Sequence, residues 1–187
     1  PYKTIEELVA AAKEKGNLKA STNGNKASNH TAAQLLAKSA GFKYKAIPYG
    51  GTADQLLALR QGEVDFTCAK VADVAKLVKG DKPELRVLAV FNTKRDPELP
   101  NVPTLGEKGL YPEWYGSARA LVAPKGTKPE VIQYYVEAFK KTMQDPAVIE
   151  AHKKAGMALD FKDNKELGDL IKAQDKFARD VVNDLYK

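Results

Sequence analysis

Three short segments carry the residue types that can do chemistry. The first is Ser21-Thr22-Asn23-Gly24-Asn25-Lys26-Ala27-Ser28-Asn29-His30, set between an extended run and the start of a helical pattern. Its hydroxyls, side-chain amides, one lysine and the free N–H groups of a helix start suit a carboxylate or phosphate at the positive end of the helix dipole. Thr22, Asn23, Gly24, Lys26, Ala27, Ser28 and His30 are its candidate contacts. The plainer reading is that Ser28 caps the helix and the rest is solvated loop. Ser28 and His30 also offer a nucleophile and a base, but two residues apart at a helix start they point in different directions, and no acid stands at a defined spacing to orient the imidazole. The second segment, Pro48-Tyr49-Gly50-Gly51-Thr52, has two glycines that let a ligand approach the backbone, Thr52 as cap or hydroxyl donor, and Tyr49 under the turn. The third, Thr67-Cys68-Ala69-Lys70, follows a strand and precedes a helix, where open α/β sheets meet their ligands, so Cys68 and Ala69 join the candidates. Asp65 reads as a hydrogen-bonding acid at a strand end, and Lys70 as a solvated lysine.

Several chemistries are excluded. Cys68 is the only cysteine, so neither an internal disulfide nor a cysteine-based zinc site can form, and its plain reading is a small buried residue at a strand end. His152 lies in a lysine-rich helix with no partners at metal spacing, so no metal is expected. The Gly50-Gly51 turn is not followed by Gly-Lys-Ser/Thr and lacks the full dinucleotide glycine pattern, which argues against ATP or NAD, and no cofactor is expected. The net charge of +6 is concentrated early: residues 1 to 92 hold 14 Lys and Arg against 9 Asp and Glu, and the remainder 16 against 15. That excess suits anionic partners, yet no basic-aromatic stripe supports nucleic acid. No apolar run approaches the roughly 18 residues of a membrane span, and Pro1-Tyr2-Lys3-Thr4 does not read as a secretory signal.

These loops need a scaffold, and the spacing predicts one. A Thr4-Ile5-Glu6-Glu7 capping box opens a helix through Ile5, Leu8, Val9 and Ala12 to Gly16. Leu18 to Thr22 reads as strand, Ser28 to Ala40 as helix, and Tyr44 to Pro48 as strand. A second capping box, Thr52-Ala53-Asp54-Gln55, starts a helix to Arg60. Val64 to Thr67 is the next strand, Val71 to Val78 the next helix, and Leu85 to Val90 an apolar run of buried-strand type. Strands alternating with helices predict an α/β fold with a parallel sheet flanked by helices, its loops converging at the edge where the strands end. Asp96 to Pro103 holds three prolines and reads as a connector, with a short helix from Thr104 to Lys108, Trp114 and Tyr115 in the core, and Tyr115 to Ala123 extended. Helices are predicted over Glu130 to Met143, Pro146 to Ala155 and Lys165 to Leu185. There is no internal repeat.

Read together, the loop before His30, Ile47-Pro48-Tyr49-Gly50-Gly51-Thr52-Ala53, Leu59-Arg60-Gln61-Gly62-Glu63-Val64-Asp65 and Val87-Leu88-Ala89-Val90 resemble the tricarboxylate-transporter (TctC-like, or Bug) substrate-binding proteins. So do Asn101-Val102-Pro103-Thr104-Leu105-Gly106-Glu107-Lys108-Gly109 and Leu121-Val122-Ala123-Pro124-Lys125-Gly126-Thr127, in the same order and spacing. The resemblance covers essentially the whole chain. It implies a periplasmic-binding-protein-like fold (type II) and a periplasmic protein that holds a small organic carboxylate, a mono- or dicarboxylate, in a cleft between two α/β lobes. It further implies handover to membrane transport subunits and no enzymatic turnover. By resemblance, residues 1–114 are the second lobe and 115–187 the C-terminal part of the first, with an N-terminal stretch of the family unmatched. The expectation is therefore a fragment that binds weakly by itself and exposes an apolar face. One departure stands out: the family has Gly and Ser four and three residues before the His, where this chain has Lys26 and Ala27. Two other readings remain open, an effector-binding domain of a transcriptional regulator, whose helix-turn-helix is not in this sequence, and a small hydrolase using Ser28 or Cys68.

Overall fold

In a computed structural model, the structure describes residues 1–157 and 159–186. The chain divides into two compact units, Pro1–Ser117 and Ala118–Lys187. The first alternates α1 (Ile5–Lys15), β1 (Lys19–Thr22), α2 (Ser28–Ala40), β2 (Lys45–Pro48), α3 (Thr52–Arg60), β3 (Phe66–Thr67) and the single turn α4 (Val71–Val74). The strands form an all-parallel sheet in the order β2-β1-β3, with Thr22 opposite Pro48 and Ser21 opposite Thr67. Parallel neighbours end at the same edge, so the three segments that follow β1, β2 and β3 emerge side by side.

Local chemistry accounts for these elements. Thr4 caps α1 by accepting from the Glu7 N–H, and Gly16 closes the helix at φ 67°, a left-handed conformation that favours glycine. Asp65 continues the sheet's edge by accepting from the Lys19 N–H at 2.7 Å, the structural role expected of it. The core gathers Ile5, Leu8 and Ala12 of α1, Leu18 and, in β1, Ala20, then Ala33, Leu36 and Ala37 of α2, Phe42, Phe66 and, from beyond the proline connector, Leu105. Phe42, Tyr44 and Phe66 meet edge to face, with centroids 5.5 to 6.4 Å apart.

The structure differs from the sequence reading where an element needs a distant partner. Only Phe66–Thr67 of the run from Val64 pairs as strand, and the helix after it is four residues long. Leu85 to Val90 is not a strand: among the described residues its one ladder contact is a parallel bridge from Val90 to Thr104. An apolar run becomes a strand only where a neighbour offers unpaired backbone. Of the predicted helix from Thr104 to Lys108, Thr104 makes that bridge and Leu105 to Lys108 fold as turns, and residues 116–123 are irregular and exposed.

The second unit holds α5 (Pro129–Met143), α6 (Pro146–Lys154) and α7 (Asn164–Phe177). Asp163 builds a full capping box with Glu166 on α7. The predicted long last helix is interrupted by a π-turn at Ala178–Val182 before α8 (Asn183–Leu185). Among the described residues, no helix is long and apolar enough to cross a membrane.

Candidate functional site

The start of α2 is not capped as its sequence suggests. Ala27, not Ser28, occupies the N-cap position, at φ −73° and ψ 171°, and has no side chain that can cap. Asn23 takes over: its Oδ1 accepts from the Asn29 N–H at 3.2 Å across the loop. Lys26 sits at φ 58°, in the left-handed region a lysine rarely adopts. Its N–H donates to Nδ1 of His30 at 2.9 Å, a local contact that holds this conformation. Thr22 closes the loop from the other side, donating from Oγ1 to the Gly24 carbonyl at 3.3 Å. Among the described residues, no protein group accepts from the N–H of Ser28.

The start of α3 departs in the same way. Gly51 is its N-cap, in fully extended backbone, and Thr52 is its first helical residue, so the Thr52-to-Gln55 spacing does not make a capping box. Here too the Thr52 N–H meets no protein acceptor among the described residues. Tyr49 turns to the surface side and donates from its hydroxyl to Glu63 at 3.1 Å; burial, then Glu63, raise its phenol above the ordinary range.

What joins the three segments is a residue the motif reading assigned to a cap. Gln55 is fully buried. Its Oε1 accepts from Asn29 Nδ2 at 2.9 Å and its Nε2 donates to the Cys68 carbonyl at 2.7 Å and to Thr67 Oγ1. Its own carbonyl accepts from Ser21 Oγ at 3.0 Å, and Thr67 Oγ1 donates onward to the Ser21 carbonyl at 2.9 Å. One amide therefore ties the first turns of α2 and α3 to the chain after β3, and brings the predicted loops together. Asn29 and Thr67 were missed as site residues because their spacing carries no motif, and Gln55 because the motif it fits, a capping box, gives it another role. Tyr115, expected in the core, is half-buried beside the same place, donating from its hydroxyl to the Ser28 carbonyl at 3.2 Å and packing on Phe91.

The electrostatics favour an anion and not a nucleophile. Lys26 is exposed one position before the cap of α2, whose first turn contains no acid; Asp54 occupies the first turn of α3. At these positive helix ends α2 is the stronger anion seat. Enclosure of its sulfur pushes the Cys68 thiol up to about 12, which leaves almost no thiolate at neutral pH. His30 is 7% exposed, its Nδ1 faces Lys26 rather than Ser28, and burial lowers its pKa, so it is a neutral acceptor. Neither half of the hydrolase reading is assembled. Among the described residues, no group of three or more His, Cys, Asp or Glu is placed to hold a metal ion.

His30 predicts a pH dependence. The folded state binds this proton less readily than the unfolded chain, so stability is complete above the unfolded value near 6.5 and falls as pH drops below it. Charging also turns Nδ1 into a donor facing the Lys26 N–H. Urea unfolding at pH 7.5, 6.5 and 5.5 is expected to show this loss, and His30→Asn, which keeps an acceptor without a titrating ring, to flatten it. Equal slopes for the two chains would remove His30 as its source.

The profile of the "Tripartite tricarboxylate transporter family receptor" family matches residues 1–185. A UPF0065 protein in the gbd 5′ region of Cupriavidus necator is 37% identical over 147 residues, 78% of this chain and 44% of its own. The crystal structure of a TctC solute binding protein from Polaromonas, with no ligand, superposes with a TM-score of 0.85 at 28% identity, covering 98% of this chain and 62% of that one. Rpa4515 of R. palustris, solved with adipate, shares the fold at a TM-score of 0.79 and 22% identity, over 96% of this chain and 61% of its own. The chain thus spans about half the length of the curated relative and under two thirds of the solved ones.

Proposed function

The chain belongs to the tripartite tricarboxylate transporter receptor family, and from that premise we propose that it serves the capture of a small organic carboxylate in the periplasm for handover to membrane transport subunits. In this reading residues 1–114 are a substrate-binding lobe and 115–187 the C-terminal part of the other. The protein acts by binding, without turnover, cofactor or nucleic acid. The observation that carries it is the placement of two helix starts, α2 and α3, after adjacent parallel strands at one sheet edge, each with an N–H that no described protein group accepts. A carboxylate has acceptor sites for both, and charge-assisted bonds of this kind are the strong ones. Thr22, Asn23, Gly24, Lys26, Ala27, Ser28 and His30, with Tyr49, Gly50, Gly51 and Thr52 and with Cys68 and Ala69, are the proposed surround.

Adipate, the ligand of the R. palustris fold neighbour, is the first probe. Titrated into the ¹⁵N-labelled chain, it is expected to shift the amides of residues 27–30 and 51–53 together, an assay that reads millimolar affinities as well as tight ones. Lys26→Ala is expected to weaken binding by about 1.5 kcal/mol, the lower end of the range for a bond to a charged group, and added salt to weaken the wild type more than the variant. Adipate shifts confined to other surfaces would overturn the site, and equal affinities with and without Lys26 would leave the anion to the backbone alone.

A further inference from the structure

We propose that Gln55 is the positioning residue of this site: its buried side-chain amide sets the first turns of α2 and α3 and the segment after β3 in one register, so that their backbone N–H groups face a common point. The role attributed to the ligand rests on the carboxylate reading above; the role toward the loops does not.

The hydrogen-bond directions fix the arrangement. The Cys68 carbonyl can only accept, so the Gln55 nitrogen faces it and the Gln55 oxygen faces Asn29, whose own nitrogen must then point back. The Ser21 carbonyl can likewise only accept, so the Thr67 hydroxyl donates to it and accepts from Gln55. Turning the Gln55 amide over would set its oxygen against the Cys68 carbonyl, and turning that of Asn29 would set two amide oxygens against each other. Gln55, Ser21 and Asn29 are 0%, 0% and 5% exposed, so each bond broken here leaves a buried polar group unpaired. The partners lie on both of the other segments, Ser21 and Asn29 on the first and Thr67 and Cys68 on the third, and two of them, Asn29 and Cys68, directly adjoin the proposed contacts Ser28 and Ala69. A packing residue in this place would need only bulk. This one uses a donor and an acceptor in opposite directions, and its neutrality places no negative charge beneath an anion.

Those requirements separate positioning from packing. Gln55→Leu keeps much of the volume and removes both functions. Gln55→Glu keeps the shape and the acceptor but, while ionised, has no hydrogen to give the Cys68 carbonyl; protonation restores one O–H donor, and burial raises the pH at which that happens. Amide spectra without ligand are expected to show Gln55→Leu shifting Ser28, Asn29, Thr52 and Ala69, on all three segments. Gln55→Glu is expected to resemble it at pH 7.5 and to return toward wild type as pH is lowered. Wild type and the exposed control Gln61→Glu, run in parallel, account for the titration of His30. Adipate affinity is expected to fall about 10-fold in Gln55→Leu and to recover in part with acid in Gln55→Glu.

Shifts confined to α3, a Gln55→Glu chain indifferent to pH, or adipate binding within twofold of wild type in Gln55→Leu would overturn the proposal. If Gln55→Leu does not fold, Thr67→Val decides: it deletes only the hydroxyl between Gln55 and Ser21, is expected to shift amides on both the β1 and α3 sides, and a change limited to Thr67 itself would count against the network. If the wild-type chain binds no adipate, the carboxylate reading loses its support while the ligand-free spectra still judge whether Gln55 positions the loops.

Discussion

Leu105→Ala is expected to lower the unfolding free energy of the Pro1–Ser117 unit by about 3 kcal/mol, the middle of the range for truncating a buried leucine. Leu105 is 1% exposed and belongs to the same cluster as Ile5 and Leu8 of α1 and Leu36 of α2, so the cavity would open against several elements at once. Its backbone has little freedom to close that space. The Leu105 N–H donates to the Val90 carbonyl and the Val90 N–H to the Pro103 carbonyl, both at 3.0 Å, pinning the residue to its neighbour on either side. Trp114 is the only tryptophan and lies in this unit, so its emission follows the relevant transition. The expected record is a lower urea midpoint at unchanged slope. Leu121→Ala, in the other unit and 60% exposed, is expected to leave the Trp114 transition where it was. A loss below about 1 kcal/mol for Leu105→Ala would mean that the segment after the proline connector packs less firmly than its burial indicates.

That residue also marks where the sequence could and could not be read. The alternation of strand and helix from Ile5 to Arg60 was legible because each element is short and locally marked: apolar residues at helical spacing in α1 and α2, and a glycine at or just past the end of each helix. The convergence of three loops followed from it, since strands joined by helices run parallel and end together. Leu85 to Val90 has the composition of a strand, but strand formation depends on a neighbour's unpaired backbone, a fact no run of residues contains. Thr52 to Gln55 shows the same limit in the site. Its spacing is that of a capping box, and the cap was lost because Gln55 lies where Asn29, 26 residues earlier, and Cys68, 13 residues later, give its amide a buried use in both directions. Ser28 lost its role as cap to Ala27 because Asn23 reaches across the loop to the Asn29 N–H. The candidate site was found from loop position and residue type; the network under it is a matter of side-chain geometry between segments, which leaves no periodic trace.

Ser28→Pro and Thr52→Pro together are expected to weaken adipate binding by more than 100-fold while leaving the sheet and helices in place. The reason lies in where these residues stand. Each is the first helical residue of its helix, the one position at which proline suits an α-helix, because its fixed φ fits and the missing N–H has no intrahelical acceptor. The preceding residues, Ala27 at ψ 171° and Gly51 at ψ 179°, already hold the extended backbone that a following proline demands. Neither N–H donates to a described protein group, so the substitutions take away no bond that stabilises the fold. What they remove is one donor from each helix start, and a bond to a charged acceptor contributes about 1.5 to 3 kcal/mol. The two losses therefore amount to roughly 3 to 6 kcal/mol. The effects should also be unequal. With no acid in its first turn, α2 presents the fuller positive end, whereas Asp54 offsets part of that of α3, so Ser28→Pro is expected to cost more than Thr52→Pro. Ser28→Ala and Thr52→Ala delete the hydroxyls and keep the N–H groups; if they match the prolines, the side chains and not the backbone hold the carboxylate. Amide spectra and thermal unfolding establish that the folds are equivalent, and adipate binding preserved in a folded double proline chain would place the anion away from these helix starts.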